Sequence, residues 1–365
     1  MGLAARPGAK HWLILLLSAV VLPVVVLLAV LAFAWPAARV APRDLPLGIV
    51  GSSPASERTV LALQQADPGA FQITLYGTDA AARTAIEHRE VYGALELSPG
   101  TAAVPGTAAV PGTAATPGTV TALTASAAGP TVAQLIVQVG DTVAQQSTAH
   151  GTPMKAATVD VVPSAAQDPR GLVLSSALLP LTICGVIIGA AIAIVIGMRP
   201  AWRQLLSLSV VSIVGAFAAY LIAQGVLGAL PGMHLATLGV FALMLFATSS
   251  TVAGLIALFG PPGLGLGAAL LVFVGNPFSG VTSAPELLPK PVGEIGRLLP
   301  PGAGAELLRS TAYFSGHGPT LCLTVLTGWA LFGLGAVVAG HHSFIGFAAR
   351  QVRRAAAHRA ALDAG

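Results

Sequence analysis

The chain has 365 residues, 55% of them hydrophobic and only 9% charged, with a mean hydropathy of +0.80. A soluble domain carries about 25% charge, so this chain cannot cover itself with polar groups, and much of it must face lipid. The formal net charge of +4 hides a partition: ten of the fourteen acidic residues lie between Asp44 and Asp168, while bases crowd beside the hydrophobic runs. Bases in that position set membrane orientation. With no basic run interleaved with aromatics, a nucleic-acid partner is excluded.

The first apolar run, Leu13 to Trp35, is uncharged and follows Arg6 and Lys10. It reaches about 23 residues, enough to cross roughly 30 Å of hydrocarbon. Ala32-Phe33-Ala34 offers an A-x-A cleavage signature. Secretory cores are only about 7–15 residues long, so an uncleaved anchor is expected.

Charge returns from 37 to 170, and the periodicity changes. Leu45–Val50 reads as a short strand, Ser56–Ala66 as a helix, and Phe71–Tyr76 alternates at period two as a second strand. Thr78-Asp79 caps a helix running through His88, and Val91–Leu97 is a third strand. Residues 101–118 repeat a six-residue unit as TAAVPG, TAAVPG, TAATPG. Pro and Gly in every unit prevent core formation, so this is an inserted loop between two strands. A strand at Val120–Ala125, a helix at Thr131–Gln146 and a strand at Ala157–Val162 complete a small α/β domain with a largely parallel sheet.

Five further apolar runs follow: Leu172–Met198, Leu205–Ala229, Leu235–Phe259, Leu264–Gly275, which Asn276-Pro277 breaks early unless it runs on to Val281, and Thr320–Gly340. Alternate crossing from a cytoplasmic N-terminus puts Arg199, Arg203 and the cluster Arg350, Arg353, Arg354 and Arg359 inside, as the positive-inside rule requires. The fold class expected is an α-helical integral membrane protein with six transmembrane helices, one before and five after an extracytoplasmic α/β domain. Its parts are 1–36, the N-terminus and first helix; 37–170, the outer domain; 171–345, a five-helix bundle; and 346–365, a basic cytoplasmic tail. An outer stretch at 276–318 interrupts the bundle. It holds three acids and three bases among apolar residues, so short re-entrant or interfacial helices are expected there. Glu306-Leu-Leu-Arg309 reads as part of a short amphipathic one.

No Walker A, G-x-S-x-G or H-E-x-x-H sequence is present, so no catalytic, cofactor or metal site is expected. Gly263-Leu-Gly-Leu-Gly267 opens a membrane helix with no strand before it, which makes it a packing or turn element. Cys184 and Cys322 lie in apolar runs and read as packing residues. His341-His342 falls at the inner end of the last helix, and His234 and His317 fall at outer ends. The helical runs contain no Asp, Glu, Lys or Arg. Ion-coupled pumps generally need an intramembrane ionisable group, so transport by this chain would draw its energy from elsewhere. Gly185, Gly189, Ala193 and Gly197 recur every four residues, a small-residue face for close helix packing within the chain or between subunits.

The order of one helix, a large outer domain, then five helices with an outer hairpin before the last resembles ABC type-2 exporter permeases and the related YhgE/Pip-like phage-infection-protein family. The residues that carry the resemblance are Leu45–Gly51 with Val91–Leu95, Asp160–Pro163 with Asp168–Gly171, and Asn276-Pro-Phe-Ser-Gly280 followed by Leu287-Leu-Pro289, Leu299-Pro300 and Leu308-Arg309. The resemblance implies a homodimeric permease-like subunit that exports a lipid, drug or polymer with a separate ATPase. It singles out Asn276, Pro277, Ser279, Gly280, Pro289, Pro300 and Arg309 in the outer hairpin. Arg199, Trp202 and Arg203 are candidates for a minimal cytoplasmic contact with a partner, and an interfacial anchor is the preferred reading of Trp202. The alternative is a non-transporting envelope receptor or scaffold, favoured by the short cytoplasmic loops at 198–203 and 260–263. A GC-rich bacterial genome, suggested by fifteen arginines against three lysines, places the protein in a bacterial plasma membrane.

Overall fold

The computed structural model describes residues 9–363 apart from 52, 100–116, 150–151, 198 and 319, with side chains described between 19 and 341. Most of the TAAVPG repeat, Arg6 and the side chains of Lys10, His342 and the four C-terminal arginines lie outside the described residues.

Helix α1 (Ala9–Ala37) leads into a five-stranded sheet of β1 (Leu45–Val50), β2 (Phe71–Tyr76), β3 (Gly93–Ser98), β4 (Gly118–Thr124) and β5 (Met154–Asp160), ordered β2-β1-β3-β4-β5. Three of its four pairings are parallel, and only β3–β4 is antiparallel. That antiparallel pair flanks the repeat, as expected of an insertion between strands, but β4 already begins at Gly118, which pairs with Met154. The strand therefore takes in the last residue of the repeat pattern.

Alternation along β1 sends Leu45 and Leu47 to one face of the sheet, with Val120, Val132 and Ile136, and Val50 to the other, with Ala82 and Ile86. The first face is covered by α2 (Pro54–Ala66) and α4 (Pro130–Ala149), and the second by α3 (Asp79–Glu87). Ser53 and Thr78 cap α2 and α3 through their side-chain oxygens, which satisfies donors that the first turn leaves open.

Among the described residues five helices are long and apolar enough to cross a membrane: α1, α5 (Leu172–Ile196), α6 (Ala201–Tyr220, extended by a π turn to Val226), α7 (His234–Phe259) and the start of α12 (Thr320–Asp363). α7 is the central pillar, two-thirds buried, whereas α1 and α6 are almost bare. The remaining apolar run, fifth in chain order, forms a shorter rod, Pro262–Phe278, built from α8 (Pro262–Ala268), a π turn at Ala269–Val274 and α9 (Gly275–Phe278). Asn276-Pro277 does not break it early. The π turn shifts the hydrogen-bond ladder, so Pro277 falls in the first turn of α9, where a missing N–H is tolerated.

Close approach of helices depends on small residues. A Cβ at Gly185 would meet the Thr248 side chain at 2.7 Å, and one at Gly189 would strike the Ser249 carbonyl. These two glycines pack α5 on α7 within the chain. Ala193 continues that face only partly buried, and Gly197 is the C-cap of α5 and contacts no other helix. Cys184 is exposed on α5 and so is not a packing residue, while Cys322 is buried. Both are free thiols.

The outer stretch folds as a 3-10 turn (Pro285–Leu287), α10 (Val292–Arg297) and α11 (Pro300–Tyr313). α11 is not amphipathic: every residue from Pro300 to Ala312 is buried. Its glycines and alanines let α5, α7 and α12 close around it, and a Cβ on Gly304 would press on Met244.

Candidate functional site

Where the outer domain meets the bundle, five charged residues and a phenol are buried or half-buried together. Arg89 sits at the corner between α3 and β3 with φ of 63°. It donates from Nη1 to the Glu306 main-chain carbonyl (3.2 Å) and from Nη2 to Glu306 Oε2, and its guanidinium lies 5.2 Å from the Phe314 ring centre. The other Glu306 oxygen accepts from Arg309 Nη1 at 2.6 Å, and Arg309 Nη2 donates to the Val281 carbonyl at 3.1 Å. Burial alone would push the Glu306 carboxyl up, but Arg89 and Arg309 outweigh it and bring it down to about 2. A carboxylate this deep is held only because two cations are hydrogen-bonded to it.

Beside this triad, Glu286 accepts from Tyr92 Oη at 2.7 Å and from Arg297 Nη2. Burial, reinforced by the Glu286 charge, holds the Tyr92 phenol well above its ordinary value, so it stays a donor. The two sets line a cavity of about 350 Å³ closed by Ile86, Phe314 and Leu321. His88 stacks on His317 with ring centres 4.4 Å apart. Arg43 and Ala41 donate main-chain hydrogen bonds to Glu286 and Leu287, and Thr131 Oγ1 donates to the Thr282 carbonyl at 3.1 Å. The outer domain is thus pinned to the hairpin along both sides.

Arg309 is the one expected hairpin residue at the centre of this network. Asn276, Pro277, Ser279 and Gly280 instead line a separate crevice of about 380 Å³ between the outer ends of α1 and α5. Gly280 has φ of +64°, a backbone turn that suits glycine. Ser279 Oγ donates to the Asn276 carbonyl at 2.5 Å. Pro289 and Pro300 are structural: the Pro289 carbonyl accepts from Val292 N at the start of α10, and Pro300 opens α11. Asp168, from the stretch before the second membrane helix, caps α5 by accepting from Leu172 N (2.9 Å) and Val173 N (2.8 Å).

Arg199, Trp202 and Arg203 lie at the opposite end of the bundle, exposed, with the Arg203 guanidinium 5.2 Å from the Trp202 ring centre. Among the described residues no group of three metal-ligating side chains exists.

Sequence reasoning missed the partners Arg89, Tyr92, Glu286 and Arg297. The available signal was the cluster of three acids and three bases in an otherwise apolar stretch. A family model for ABC-2 family transporter proteins matches residues 13–339. The chain belongs to the ABC-2 transporter family. Neither the curated proteins nor the solved structures contain a match. Membrane proteins of this family generally work with a separate ATPase in the lipid bilayer. The multi-pass apolar architecture of this ABC-2 protein agrees with a permease role.

Proposed function

We propose that this protein is the permease subunit of an ABC exporter, moving a lipid, drug or polymer across a bacterial plasma membrane with energy from a separate ATPase. The observation that carries the reading is the family match over almost the whole chain. The charge-free helical runs support it, because an ion-coupled carrier would need an ionisable group there. In this reading the Pro262–Phe278 rod is the sixth crossing. Both termini are cytoplasmic, and residues 37–170 with the hairpin lie outside. The basic pair Arg199 and Arg203 at the end remote from the domain agrees with that orientation, and with Trp202 it offers the ATPase a contact. The subunit acts as a homodimer, a state supported by the wide apolar faces of α1 and α6 that the chain's own helices leave bare.

Purification from the native membrane in mild detergent tests the reading. The expected result is a stoichiometric P-loop ATPase whose turnover depends on this subunit and falls in an Arg199→Glu, Arg203→Glu variant. The short turn between α5 and α6, from Gly197 to Pro200, favours a second reading as a receptor or scaffold. Recovery of the protein with envelope partners and no ATPase would decide for that reading.

A further inference from the structure

A groove of about 630 Å³ runs beneath α4, between the outer domain and the outer end of α5. Its only charged lining residues are the cations Arg170 and Arg309, and the polar remainder is hydroxyl and amide, including Ser126, Thr131, Gln134 and Ser164. The crevice beside α1 differs in chemistry: it has no charged lining residue and is walled by Phe33, Val40, Leu178, Leu179 and Leu288. Ser175, Val281 and Thr282 line both spaces. The partition between the groove with its cations and the uncharged crevice is therefore Ser175 of α5 and the strip Val281-Thr282.

That strip is held from the groove side. Arg309 binds the Val281 carbonyl, and Thr131 of α4 binds the Thr282 carbonyl. On the crevice side, Asn276 has a buried amide nitrogen without an acceptor.

We propose that groove and crevice are the two halves of one site for an anionic amphiphile, with its headgroup at the exposed Arg170 and the groove's hydroxyl groups and its acyl chain in the crevice. The inference rests on the exporter reading, to which it adds a substrate class. Guanidinium groups suit a phosphate through paired N–H donors. The crevice accepts a hydrocarbon chain from the outer leaflet without burying a charge.

The test uses the full chain in lipid nanodiscs with phosphatidylglycerol as anionic probe and phosphatidylcholine as zwitterionic control. Native mass spectrometry should show phosphatidylglycerol retained several-fold over phosphatidylcholine, with the preference abolished by Arg170→Gln and kept in Arg58→Gln. Both residues are exposed, so neither change threatens folding. A bimane label on Ser175→Cys in a Cys184→Ser background should be quenched more by chain-brominated phosphatidylglycerol than by the brominated control. Equal retention of both lipids, or equal loss of preference in both arginine variants, would overturn the site. Preference without any effect of phosphatidylglycerol on the copurified ATPase would uphold the site and count against the exporter reading. ATP-driven export with no lipid preference would overturn the site alone.

Discussion

Arg89 of the outer domain grips both the carboxylate and the main-chain carbonyl of Glu306, 217 residues further along the chain, inside a helix that has no exposed residue from Pro300 to Ala312. Because the same carboxylate also holds Arg309, and Arg309 holds the Val281 carbonyl, the outer domain is tied through two side chains to the strip that separates groove from crevice.

Replacing Glu306 by Gln should destabilise the fold by about 3–5 kcal/mol, because it leaves two buried cations without a counter-ion. Thermal unfolding in detergent measures the loss, and hydrogen exchange should show opening at β3 and α11 first. Lys290→Ala removes the exposed pair with Asp44 and should leave the melting point unchanged.

Acid should act through the same group. The Glu306 carboxyl titrates near 4.5 when free and at about 2 in the fold. A carboxylate depressed by folding contributes its full stabilisation above the free value and loses it as pH falls through the folded one. Docking of the outer domain should therefore be indifferent to this group above 4.5 and weaken from there toward 2. Melting curves taken across that window should fall in the native protein and flatten in Glu306→Gln.

Gly189→Leu should weaken the α5–α7 contact by about 1–3 kcal/mol, the usual range for overpacking, since any Cβ there meets the Ser249 main chain. Gly239 on the same pillar has nothing within 4 Å of an added Cβ. Gly239→Ala should keep or slightly raise detergent stability, measured side by side with Gly189→Leu.

Deleting residues 101–116 should leave insertion and melting unchanged, because Ser98 and Thr119 already pair across the β3–β4 ladder. Extending the deletion through Gly118 should lower stability, since Gly118 N donates to the Pro153 carbonyl at 2.9 Å and begins β4. Expression level in the membrane and the melting point distinguish the two deletions.

Much of the outer domain could be read from local pattern. Leu45–Val50 and Phe71–Tyr76 alternate, Thr78 caps, and the repeat interrupts a hairpin, all within a few residues of the observed bounds. The site was far less legible. Glu306 and Arg309 suggest a wet helix face to any reader of local sequence, yet small neighbours such as Gly302, Ala303, Gly304 and Ala305 allow packing on every side. Their partner Arg89 lies beyond the reach of any periodicity. The π turn that carries the Pro262–Phe278 rod past Pro277 leaves no mark in hydropathy either.

The outer domain's two apolar layers are not built from its own residues alone. Ala284 and Leu287 fill one of them and Phe314 fills the other. The domain is translated long before those side chains exist, so it leaves the ribosome with two holes in its interior. It is begun first and finished last, because its two cores close only when the final hairpin packs against them.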